Sequence, residues 1–184
     1  MNNFLQKPKC RLKITNKCNL NCRYCINKSK EYVSKWIFIN SIDEIDFSRF
    51  RSIIISGGEP TMLSENFLLY TLECIRKKAA LETPIYLQTN GILLTKDFVK
   101  KADMLIDGIG LSIHDFDMFL HLLPRYLDIN RIKPIRLYIQ TLIKNNNFVY
   151  VNGLDEKFNI RWWNDGEFDS SENIFAFRKN HEKN

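Results

Sequence analysis

The chain has 184 residues, the length of a single domain, with 45% hydrophobic and 26% charged residues, enough for a packed core in a water-soluble protein. No apolar run approaches the roughly 20 residues needed to span a bilayer, and Met1–Lys9 lacks the apolar stretch of a secretory signal, so a cytoplasmic protein with no membrane partner is expected. The formal net charge is +6, but the cations are scattered, with pairs such as Lys77–Lys78 and Lys100–Lys101 on predicted helices; this reads as a solvated surface and argues against a nucleic-acid partner.

Six β-branched or aromatic runs bounded by Gly and Pro predict strands, in chain order Arg11–Thr15, Ile53–Ile55, Ile85–Thr89, Ile109–Ile113, Ile135–Ile143 and Phe158–Trp163. Helical patterns fall between them. Ser41 and Glu44 match a capping box for a short helix. Ser64–Ala80 carries Phe67, Leu68, Leu72 and Ile75 at helical spacing, with Ser64 placed to cap it. Thr95–Ala102 is a shorter candidate. Asp115–Leu127 has a broad apolar stripe of Phe116, Phe119, Leu120, Leu123 and Leu127, with Pro124 expected to kink or end it. Strands alternating with helices imply an α/β fold with a mainly parallel sheet, in which ligands bind at the carboxyl ends of the strands. The connections are lean. Between Cys25 and Ile53 only a short, weakly periodic helix is expected, and Lys144–Lys157 is rich in Asn. A trimmed, open barrel is therefore expected, spanning residues 1–163, followed by a short polar C-terminal tail at 164–184.

Three of the five cysteines, Cys18, Cys22 and Cys25, directly follow the first predicted strand. An odd count points away from a disulfide framework and toward metal or redox chemistry. Three nearby thiolates suit an iron–sulfur cluster with one open iron, or a structural zinc with Cys10 or a His as fourth ligand. The polar segments that end later strands are also candidates. Gly57-Gly58-Glu59-Pro60 is either a turn or a loop that lets backbone approach a ligand, with Glu59 assisting or bracing it. Thr89-Asn90-Gly91 is either a strand-to-helix turn or part of a site. Ser112 and His114 alternate with apolar neighbours and share a face; His114 is either structural or functional. Cys74 reads as core and Cys10 is ambiguous.

The CxxxCxxC spacing, with aromatic Tyr24 before the last cysteine and a GGEP segment one strand downstream, resembles the signature of the radical S-adenosylmethionine (SAM) superfamily. The resemblance covers roughly Lys9 to Trp163. It implies a partial, open (β/α)6-type barrel with trimmed helices. Its cofactors would be a [4Fe–4S] cluster on Cys18, Cys22 and Cys25, and SAM chelated at the open iron. It implies SAM contacts from Tyr24 near the adenine, from Gly57, Gly58, Glu59 and Pro60, and from Asn90, Ser112, His114 and, on a looser match, Gln140. His114 stands where relatives often carry an acidic residue. Trp162 and Trp163 either pack or face adenine or substrate.

By the same resemblance, an electron donor of the flavodoxin or ferredoxin kind reduces the cluster, and SAM is cleaved to a 5′-deoxyadenosyl radical that removes a hydrogen atom from the substrate. With Cys10 and Cys74 alone outside the motif, no second four-thiolate cluster can form, so a small single-cluster member without a C-terminal auxiliary-cluster domain is expected. Because a lean barrel encloses a small substrate poorly, a peptide or protein substrate, or a partner subunit that closes the barrel, is expected. The alternatives are a pterin- or deazaguanine-type small-molecule synthase and a non-catalytic cluster- and SAM-binding protein.

Overall fold

The computed structural model describes residues 6–23, 25–114, 116–127, 135–140, 158–163 and 171–178. Eight strands form one sheet in the order β2-β8-β1-β3-β4-β5-β6-β7. They are β1 (Lys9–Lys13), β2 (Trp36–Ile39), β3 (Ser52–Ser56), β4 (Ile85–Thr89), β5 (Gly108–Ile113), β6 (Ile135–Gln140), β7 (Phe158–Trp163) and β8 (Glu172–Phe177). Every neighbouring pair is parallel. Among the described residues the outer strands β2 and β7 do not pair, so the sheet is open. Six of the strands are those the sequence predicts; the first begins two residues earlier than expected, and the predicted extension of the fifth to Ile143 lies outside the described residues.

Alternation along the strands separates a core face from a cavity face. Cys10 and Leu12 of β1, Ile53 and Ile55 of β3, Ile85 and Leu87 of β4, and Ile109 and Leu111 of β5 are buried together. Each such side chain contributes roughly 1.5–3 kcal/mol by leaving water. Between them, Arg11, Ile54, Gln88 and Ser112 line a cavity on the other face. The core face is covered by α2 (Glu65–Lys78) and α3 (Lys96–Ala102), which bury Leu68, Leu72 and Ile75, and Phe98, Val99 and Ala102, respectively. Ser64 caps α2 by accepting the Phe67 N–H, and Thr95 caps α3 by accepting the Phe98 N–H. Phe67 itself is exposed, and Cys74 is only half-buried on α2 rather than in the core.

The segment between Cys25 and Ile53 holds more structure than expected: a short α1 (Lys30–Ser34), strand β2, and single 3-10 turns, one of them closed by the Ser41–Glu44 capping box. Helix α4 (Phe116–Leu127) runs through Pro124 instead of ending there. Burial of Phe119 and Leu122 offsets the hydrogen bond that proline removes; Leu120, expected on the apolar stripe, is exposed.

The segment expected to be a polar tail contains β8, which sits between β1 and β2. Glu172 is in register with Lys9 and Ile174 with Arg11. The Arg11 guanidinium donates to both Glu172 carboxylate oxygens, at 2.7 and 2.9 Å. Ile174, Phe175 and Ala176 are buried, so six residues of this segment belong to the sheet.

Candidate active site

The site forms where the loops leave the carboxyl ends of β1, β3, β4 and β5. The chain beyond β1 is pinned against the glycine loop by three backbone hydrogen bonds. Ile14 N–H donates to Ser56 O at 3.0 Å, Gly58 N–H to Thr15 O at 2.7 Å, and Glu59 N–H to Lys17 O at 2.7 Å. This contact requires glycine: a Cβ on Gly58 would lie 2.2 Å from Lys17 O and 2.6 Å from Asn16 O. With the Gly58 and Glu59 amides spent on the β1 loop and Glu59 O accepting the Met62 N–H at 3.1 Å, the Gly58 carbonyl is left for a ligand, an acceptor suited to an ammonium group.

Glu59 is buried and saturated. Its Oε1 accepts from Thr61 N at 3.0 Å, Thr61 Oγ1 at 2.6 Å and Thr89 Oγ1 at 2.6 Å, and its Oε2 accepts from Asn90 N at 2.7 Å. It therefore braces the loop against the end of β4. Pro60, buried at the first position of a 3-10 turn, is not on the cavity wall. Gly91 turns the chain with φ 78°, a left-handed conformation that suits glycine. Asn90 serves both sides of the site: its Nδ2 donates to Asn19 Oδ1 in the cysteine loop at 2.8 Å, and its Oδ1 accepts the Ile92 N–H.

One cavity of about 700 Å³ lies within the range of small-molecule sites. Cys18, Cys22 and Cys25 line it, as do Gly57, Gly58 and Glu59. Of the other predicted residues, Asn90, Ser112 and His114 also line it, with Ser112 Oγ accepting from Gln88 Nε2 at 2.7 Å. Tyr24 lies outside the described residues. Gln140 ends β6 in register with Trp163 of β7.

Burial raises the Cys18 and Cys22 thiols above their ordinary range, and negative charge on Cys25 pushes both further. A bound metal would draw the protons off these two thiols and convert them to ligands. Among the described residues no three His, Cys, Asp or Glu are close enough to hold one metal ion. Cys10 offers no fourth thiolate. It is buried on the core face of β1, and burial, followed by the charge of Glu172, pushes it up to about 12. Three thiols on one cavity wall, with no fourth among the described residues, fit a four-iron cluster, of which they would hold three irons.

Residues 12–153, most of the chain, match the radical SAM superfamily. The chain belongs to that superfamily. Members of the radical SAM superfamily use a [4Fe–4S] cluster and SAM. An S-adenosylmethionine-dependent nucleotide dehydratase of Flammeovirga pacifica is 27% identical over 151 residues, covering 77% of this chain and 49% of the relative. A probable GTP 3′,8-cyclase of Methanococcus maripaludis strain C7 is 37% identical over 112 residues, covering 58% and 36%. The solved structure of anSMEcpe with bound AdoMet superposes with a TM-score of 0.59 at 21% identity, covering 89% of this chain and 56% of that one, and shares the radical SAM fold. The chain spans about half the length, or less, of these relatives.

Several residues of the radical SAM site were not singled out from sequence. Asn19 and Asn27 carry hydrogen bonds from the cysteine loop to Asn90 and to Gly57 O. Lys13, buried against Asn27 of the wall, could have been found as a charge alternating with Leu12 and Ile14 on a strand. Glu172 carries no local signal; only its pairing with Arg11 brings it to the cavity.

Proposed function

We propose that the chain is a radical SAM enzyme whose second substrate is a small, anionic nucleotide. The observation that carries the reading is the convergence of three thiols, the Gly57–Glu59 loop, Asn90 and Ser112 on one cavity at the carboxyl ends of the strands. When bound, the cluster supplies one electron to SAM. Cys18, Cys22 and Cys25 would hold three of its irons. The Gly58 carbonyl would accept from the SAM ammonium, while Glu59 keeps the glycine loop in place. The electron would come from a low-potential donor of the flavodoxin or ferredoxin type.

Lys9 and Lys28 favour a phosphate-bearing substrate, since their cationic side chains line the same cavity, where the charge of Arg11 is taken up by Glu172. Two relatives are named for nucleotide chemistry, which supports the same reading. The expectation of a peptide or protein rested on a wall too lean to enclose a small molecule; β8 extends that wall past β1 and adds Glu172 to it.

The test is anaerobic. Protein reconstituted with iron and sulfide is given SAM and dithionite, and 5′-deoxyadenosine is assayed alone, with each nucleoside triphosphate, and with peptides. Formation that is stimulated by a triphosphate and lost in Cys22→Ala supports the proposal. Stimulation by peptides alone would replace the substrate class, and a fully loaded protein that yields none under any condition would leave a binding protein.

A further inference from the structure

Lys13 ends β1 in register with Ser56, a residue of the cavity wall, and is 2% exposed. Its ammonium is held by neutral groups: Nζ donates to Asn27 Oδ1 at 2.5 Å and lies 4.4 Å from the centroid of the Trp36 ring. Both contacts favour the charged form. Burial pulls the ammonium down to about 8, negative charge on Cys25 raises it and Arg11 lowers it; among the described residues no carboxylate pairs with it. A buried cation without a counter-charge is costly, and proteins seldom keep one without an anion nearby. Asn27, two residues beyond Cys25, also donates Nδ2 to Gly57 O at 2.9 Å. One amide therefore fixes the ammonium, the cysteine loop and the glycine loop in a single arrangement.

The missing anion is supplied if Cys25 is a thiolate ligand of a cluster. We propose that Lys13 is a positioning residue whose fixed positive charge acts on the cluster through Cys25, raises its reduction potential and so favours uptake of one electron from a low-potential donor. A reduced cluster carries one more negative charge than an oxidised one, so a nearby cation stabilises the reduced form more. The inference rests on the cluster reading.

The test compares wild type, Lys13→Met and Lys13→Arg after anaerobic reconstitution, with iron and sulfide counted per chain and the midpoint read by a redox titration followed by electron paramagnetic resonance. Lys13→Met is expected to load iron like wild type and to lose at least tenfold in the reduction equilibrium, a shift of about 59 mV to more negative potential for one electron. Lys13→Arg is expected to stay near wild type. Equal midpoints in wild type and Lys13→Met would overturn the role of Lys13 and leave the cluster reading standing. If Lys13→Met does not fold, Asn27→Asp places a carboxylate on the ammonium and is expected to give the same negative shift; no shift there overturns the proposal. A wild-type protein that binds no iron would overturn this inference and the cluster reading together.

Discussion

Glu59 Oε2 accepts the Asn90 backbone N–H at 2.7 Å, joining the loop after β3 to the end of β4. With the three bonds on Oε1, one buried carboxylate holds four donors from two loops. Glu59→Ala would leave these donors unpaired, at roughly 1–3 kcal/mol for each group that water does not reach. Urea unfolding of the cofactor-free variant is expected to show a loss of at least about 2 kcal/mol, with Glu59→Gln in between because it keeps one acceptor oxygen. Wild-type stability in Glu59→Ala would mean that the brace contributes little and that the residue acts on the ligand instead.

Gly58→Ala tests the contact between the glycine loop and the β1 loop. The added methyl would meet two carbonyl oxygens closer than any ordinary contact, so the bond from Gly58 N–H to Thr15 O must give way. The expected loss is about 1–3 kcal/mol of stability and about tenfold in SAM affinity, the equivalent of about 1.4 kcal/mol. Calorimetric titration of the reconstituted protein with SAM measures the second effect. An unchanged affinity would show that the loop can shift without disturbing the ligand.

Strands β1, β3, β4, β5, β6 and β7 and the cap of α2 were legible because each depends on local pattern: period-2 alternation, a hydroxyl before a helix. The grouping of the cysteines with Gly57, Gly58, Glu59, Asn90, Ser112 and His114 followed from the resemblance to the radical SAM signature. What was not legible depends on partners far along the chain. Glu172 reads as one more charge in a polar segment until β8 pairs with β1, 161 residues away along the chain. Strand β2 was different, since Trp36-Ile37-Phe38-Ile39 has the composition of a strand but is only four residues long. Pro124 ends helices by local rules, and packing of Phe119 and Leu122 overrode them. The division of labour between Glu59 as brace and backbone as ligand contact needed hydrogen-bond partners that spacing alone does not give.

The pair of Arg11 and Glu172 gives β8 its own prediction. Glu172 is almost fully buried and Arg11 mostly so. Removing the carboxylate in Glu172→Ala strands a guanidinium in the cavity, and a loss of about 2–3 kcal/mol is expected, the lower end for a buried pair because Arg11 keeps some water. Truncation after Trp163 goes further, because it exposes the edge of β1 and removes the partner of β2. The truncated chain is expected to be insoluble or unfolded by circular dichroism. A soluble truncation with the wild-type melting temperature would show that β8 is dispensable.

Cys10 sets an alkaline limit on the cofactor-free protein. Its thiol is pushed from 9.0 to about 12, first by burial and then by Glu172. Above pH 9 the unfolded chain releases this proton while the folded chain keeps it. The stability the group contributes is therefore complete below about pH 9 and is lost as pH rises toward about 12. The slope is about 1.4 kcal/mol per pH unit. Cys10→Ala has no such proton to keep, so the stability gap between wild type and variant is expected to narrow by about 2 kcal/mol from pH 9 to about 10.5. Urea midpoints for the two proteins across that window measure it directly. If the two curves fall in parallel, the thiol ionises within the folded chain and its burial is not what holds the proton.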